Sequence, residues 1–134
     1  MSEGDKKAYV NYRIATAREF LADARTLIGT GSLKSAANRL YYSMFQAVSA
    51  LALADGFQTK SHAQLMGWFN RSHVRNGNVA FTLGSAYGRA FDLRSDGDYK
   101  DMPSFSAEEL TELASQADDL IQAIESLIAS RLAL

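Results

Sequence analysis

Cysteine is absent from these 134 residues, which excludes disulfides and thiol chemistry and fits a reducing cytoplasm best. Proline occurs once, at Pro103, and β-branched runs are scarce while alanine and leucine abound, which points to an all-α protein. No apolar run reaches the roughly 18 residues a membrane span needs, and the N-terminus has no signal-peptide core. Metal-ligand spacing is missing too: His62 and His73 are far apart in the chain, with no HExxH between them. There is no phosphate-cradling glycine loop and no nucleophile elbow such as GxSxG. No internal repeat, low-complexity tract or linker divides the chain, so residues 1–134 read as one domain, frayed over 1–5.

What is present is helical periodicity. In residues 33–54, Leu33, Ala37, Leu40, Met44, Ala47, Leu51 and Ala54 recur at alternating steps of four and three, the spacing of one helix face. Tyr41, Phe45, Val48 and Ala52 add apolar surface elsewhere, and a helix apolar nearly all round belongs in the interior. One strip breaks the pattern. Ser35, Arg39, Tyr42, Gln46 and Ser49 share the same spacing and fall within roughly an 80° arc. A guanidinium on a buried helix has to be paired or solvated, so this strip must face a cleft, a partner subunit or water.

The other helices follow from similar stripes. Val10, Ile14, Ala17, Leu21, Ala24 and Ile28 mark a long first helix, with Asp5 as its cap and Gly29-Thr30-Gly31 as its end. Ser32 is placed to cap the central helix, and Asp55-Gly56 ends it. Ser61 caps a short helix bearing Leu65, Met66, Trp68 and Phe69, and Asn76-Gly77-Asn78 turns the chain. A fourth helix covers about residues 79–95 despite Gly84 and Gly88, a Gly-x3-Gly pair that marks close packing. RSDGDYKDMPSF reads as a turn-rich connection. Ser106 and Glu109 form a capping box for the last helix, whose stripe is Leu110, Leu113, Ala117, Leu120, Ile124 and Leu127. Four long helices and one short one then pack as an antiparallel up-and-down bundle.

Charge is distributed unevenly. From Ser106 onward six acids oppose Arg131 alone, and they read as a solvated face. Residues 60–94 hold Lys60, Arg71, Arg75, Arg89 and Arg94 against Asp92, a region able to attract an anion.

The central strip carries a resemblance. Asn38 to Ala47, NRLYYSMFQA, resembles the RxYYxxF segment of a prokaryotic branch of the HEPN domains (higher eukaryotes and prokaryotes nucleotide-binding). Gly56 followed by Lys60-Ser61-His62 resembles that branch's G-x3-K-T-H, Trp68-Phe69 its apolar position, and Arg94 with Asp98-Tyr99 its R-x3-D-Y. The resemblance implies a helical bundle that commonly pairs into a homodimer. Many members resemble the toxin half of a toxin-antitoxin pair, with a small nucleotidyltransferase as the other half. Active members are metal-independent RNases on an Arg-x4-6-His motif, in which histidine moves a proton and arginine steadies the phosphate.

This chain departs from that motif. Gln46 stands where the branch often has histidine, and glutamine cannot shuttle a proton near neutral pH. No arginine precedes His62 or His73 at the required distance. The leading expectation is therefore a binding protein for a nucleotide, RNA or a nucleotidyltransferase partner, with no metal and no cofactor. Arg39, Tyr42 and Gln46 would line its cleft, Lys60 and His62 would form the rim, and Arg94, Asp98 and Tyr99 would complete the ligand-binding set. One alternative is an RNase using His62 with Arg39 as its catalytic pair; another is a purely structural dimer.

Overall fold

The computed structural model describes residues 2–99 and 105–132, with the side chains of Asp98 and Tyr99 outside the described part. Helix α1 spans Glu3–Gly29, α2 Leu33–Asp55, α3 His62–Phe69, α4 Phe81–Tyr99 and α5 Ala107–Arg131. Between α3 and α4 the chain makes a π turn over Asn70–Val74. No strand occurs among the described residues, and the all-α bundle expected from the periodicities is the architecture found.

Helix α2 is the axis of the molecule. It packs on α1, α5, α4 and α3, and every residue of its Leu40–Met44–Ala47–Leu51 stripe is fully buried. Six of its buried positions are alanine, small enough to let the neighbouring helices approach closely. Leu21 and Ala24 of α1 and Leu120, Ile121 and Ile124 of α5 close the same core.

Most ends follow from local chemistry. Gly56 adopts φ +83°, a left-handed conformation that costs glycine little, and the Phe57 N–H then bonds back to the Ala52 carbonyl, 2.8 Å away. The Ser61 hydroxyl accepts from the Gln64 N–H at 3.2 Å, capping α3. Gly77, φ +85°, turns the chain where the Asn-Gly-Asn run predicts.

Several ends differ from expectation. Helix α1 begins at Glu3, capped by the Ser2 hydroxyl, so Asp5 lies in its first turn and supplies the N–H that Ser2 accepts. Ser32 occupies the cap position of α2 without a side-chain bond to the helix. Helix α4 begins at Phe81 and runs to Tyr99, through part of the segment read as a turn. Gly97, in this added stretch, is buried, and a Cβ there would stand 3.4 Å from the Lys34 stem at the start of α2, an ordinary contact. Pro103 lies outside the described residues.

Only half of the capping box at Ser106 forms. The Glu109 N–H donates to the Ser106 hydroxyl at 3.1 Å, but the Glu109 carboxylate pairs with Arg89 of α4. The acidic face of α5 is likewise partly engaged, because Arg18 of α1 reaches both Asp118 and Glu125.

Candidate functional site

Aromatic and cationic side chains gather where α2, the start of α3 and α4 meet. Tyr41 and Tyr42 are neighbours in sequence, about 100° apart on a helix, and part ways accordingly. Tyr41 turns inward and is fully buried, while Tyr42 stays half-exposed. Phe45, one turn on, completes a cluster of three rings on α2.

His62, the first residue of α3, is laid onto this cluster. Its ring stacks on Phe45 with centroids 4.3 Å apart, lies 5.8 Å from the Tyr41 ring and meets the Tyr42 ring edge-on. Its Nδ1 is 2.7 Å from the Tyr41 hydroxyl oxygen. Arg94 arrives from α4 and sets its guanidinium over the Tyr42 and Tyr41 rings, 5.6 and 5.9 Å from their centroids. It also donates from Nη2 to the Tyr42 hydroxyl at 3.3 Å. Burial pushes the His62 pKa down and the nearby Arg94 charge pushes it further the same way, so the imidazole is held neutral. Burial drives the Tyr41 phenol well above its ordinary range, so it keeps its proton.

Beside this cluster opens a cleft of about 380 Å³. Arg13 of α1, Phe45 and Ser49 of α2, and Phe57, Lys60 and His62 line it. With Thr59 and Ser61 also on the lining, its walls offer two cations, three hydroxyls and the rings of Phe45, Phe57 and His62. Behind Phe57, and parallel to it within 9°, lies the Trp68 ring, 5.1 Å away. Among the described residues no group of histidines and carboxylates is assembled that could hold a metal ion.

The structure brings Tyr42, His62 and Arg94 together, with Lys60 on the adjoining wall. Gln46 reaches the cleft edge indirectly, accepting from Arg13 at 3.2 Å. Arg39 goes elsewhere. Its guanidinium sits over the Phe20 ring of α1, 4.7 Å from the centroid, so it neither lines the cleft nor pairs with His62. The reason is steric direction: side chains on a helix lean toward its N-terminus, and from position 39 that path ends on α1, where an aromatic face receives the charge. The cation beside His62 is Arg94. For Asp98 and Tyr99 the side chains lie outside the described residues.

Sequence reading missed Tyr41, Phe45 and Arg13. A signal existed for Tyr41, since a tyrosine on the inner face of a buried helix must find a partner for its hydroxyl. It also missed a second histidine site. His73, buried, places Nε2 2.7 Å from Asp55 Oδ2, while the Asn78 amide lies 3.1 Å from its Nδ1 and Arg131 holds the other Asp55 oxygen at 2.7 Å. This chain of bonds ties the end of α2 to the π turn and to the end of α5.

Two known proteins resemble the chain, one along nearly its whole length and one along about half. It is 39% identical over 124 residues to a UPF0332 protein of Thermotoga maritima, covering 92% of this chain and 94% of that one. A UPF0332 protein of Pyrococcus horikoshii is 34% identical over 70 residues, 52% of this chain and 49% of its own. No helix among the described residues is long and apolar enough to cross a membrane. The HEPN domain profile matches residues 10–127, a span that holds α2, the His62 cluster and Arg94, and the chain therefore belongs to the HEPN domain family.

Proposed function

We propose that the protein binds RNA or a nucleotide on the face formed by Tyr42, His62 and Arg94, with the neighbouring cleft taking part of the ligand. One observation carries this reading: a guanidinium, an imidazole and exposed ring surface converge from three segments, and Arg13 and Lys60 stand alongside. Cations suit the phosphates of a nucleic acid and ring faces suit its bases, the pairing used by single-strand binders. Nothing acidic lines the cleft. Membership of the HEPN family supports a nucleotide-type ligand, and a homodimer and a small nucleotidyltransferase partner, as in a toxin-antitoxin pair, belong to the same reading.

The test is a titration of short single-stranded RNA and of nucleotides by calorimetry or fluorescence at two salt concentrations. Binding that weakens with salt and is lost in Arg94→Gln supports the reading; no binding at high protein concentration ends it. Co-purification with the product of a neighbouring gene tests the partner.

A second reading, a metal-independent RNase, is favoured by the placement of Arg94 next to His62. The histidine would handle a proton and Arg94, rather than Arg39, would steady the phosphate. Incubating the protein with RNA in chelator separates the two: cleavage abolished by His62→Ala marks the enzyme, and intact RNA marks the binding module.

A further inference from the structure

His62 meets the cleft with one ring nitrogen and the protein interior with the other, and what the inner nitrogen touches decides what the outer one can do. We infer that Tyr41 is a positioning residue for His62: its buried hydroxyl donates to Nδ1, fixes the imidazole proton on Nε2, and so makes His62 a hydrogen-bond donor to an oxyanion in the cleft. The inference rests on the reading of the cleft as a ligand site, and it specifies the chemistry that site presents.

The argument is one of satisfied hydrogen bonds. Tyr41 has no exposed surface, and among the described residues its hydroxyl has one partner, His62 Nδ1 at 2.7 Å. Around it stand the rings of Tyr42, Phe45, Tyr87 and Phe91. If Nδ1 carried the proton and donated to the phenol oxygen, the phenol hydrogen would be buried without an acceptor among the described residues, and a buried unsatisfied donor costs about 1–3 kcal/mol. With the phenol donating, every polar atom of the pair is satisfied, and the imidazole keeps its hydrogen at Nε2. Burial holds the phenol protonated, so the donor persists through neutral pH.

Two chemical consequences follow. The exposed Nε2 has no lone pair to accept a proton, so in this state His62 does not act as a general base there. It can donate to a phosphoryl or carboxylate oxygen. Among the described residues the charged side chains that line the cleft or reach its cluster are cationic: Arg94 from α4, Lys60 from the segment before α3 and Arg13 from α1, with Tyr41 and Tyr42 of α2 as the neighbouring phenols. A neutral donor among cations recognises an anion without adding a further charge that would have to be desolvated.

The test is nitrogen NMR of the full chain with 15N-labelled histidine, assigned against His62→Gln and His73→Ala. In the wild type the neutral His62 ring should show its proton on Nε2; a proton on Nδ1 overturns the inference without any variant. Tyr41→Phe should raise the His62 pKa by roughly half to one unit, since a bond that favours the neutral ring is gone. If the phenol were instead the acceptor, the same change would lower it. A lower or unchanged value in a Tyr41→Phe protein of native circular dichroism overturns the inference. For the ligand side, a short single-stranded RNA is titrated at pH 8, where His62→Leu should bind about tenfold more weakly than wild type and His62→Gln, which keeps an N–H donor, should recover most of that loss. Equal loss in both variants overturns the donor role. Absence of RNA binding by the wild type defeats the functional reading above and leaves the NMR result standing on its own.

Discussion

His73 Nε2 stands 2.7 Å from Asp55 Oδ2, and this single bond joins the C-terminus of the central helix to the π turn that follows α3. The imidazole is 2% exposed and its other nitrogen faces Asn78, so both ring nitrogens are engaged. His73→Ala removes a packed ring and leaves Asp55 with Arg131 alone. It should cost about 2–4 kcal/mol in a denaturant titration. RNA affinity should fall far less than stability, because none of His73, Asp55, Asn78 and Arg131 lines the cleft.

His62 has its folded-state pKa pushed below the ordinary value, first by burial and then by Arg94. The unfolded chain therefore binds a proton that the folded one refuses, and stability rises with pH across that window. Its contribution is complete above about 6.5, the unfolded value, and is lost as pH falls toward the depressed folded value. Melting temperatures measured between pH 5 and pH 7.5 should climb more steeply for the wild type than for His62→Gln.

Gly84 and Gly88 look equivalent in sequence and are not. A Cβ on Gly84 would come within 2.9 Å of Val74, the last residue of the π turn, whereas one on Gly88 meets nothing within 4 Å. Gly84→Ala should destabilise by about 1–3 kcal/mol through overpacking. Gly88→Ala should stabilise by about 0.5–1 kcal/mol through helix propensity. Thermal unfolding of the two single variants gives shifts of opposite sign.

Arg94 and Arg39 can be separated by salt. Arg94→Gln should lower affinity for single-stranded RNA about tenfold and reduce the slope of log affinity on log salt by about one. Arg39→Gln, its parent resting on Phe20, should leave both nearly as they were. Equal effects would place the ligand on a different surface.

The Tyr87 hydroxyl is buried and has no hydrogen-bond partner among the described residues. Removing a polar atom that folding leaves unsatisfied should help, so Tyr87→Phe is expected to gain about 1 kcal/mol in a denaturant titration.

The bundle could be read from the sequence because its signals are local: stripes at helical spacing, glycines at helix ends and serines before them. Where long-range packing decides, the reading stopped short. RSDGDY carries glycine and aspartate, the residues of a turn, and nothing local in it signals that α4 runs on to Tyr99. The arc containing Arg39, Tyr42 and Gln46 was visible, but an arc does not say which neighbour occupies it. Phe20 took the first of these side chains, Arg94 the second and Arg13 the third. Of the site residues, His62 and Arg94 were found through motif likeness, while Tyr41 was absorbed into the apolar surface of α2. The His73 network joins positions 18 and 76 residues apart, which no local pattern encodes.

The stacking of Phe57 on Trp68 gives the molecule a built-in optical reporter. Trp68 is the sole tryptophan of the chain, and the ring it leans on forms one wall of the cleft. A guest pressing on Phe57 changes the surroundings of that indole, so emission intensity can follow occupancy in unlabelled protein, without dye, tag or substitution.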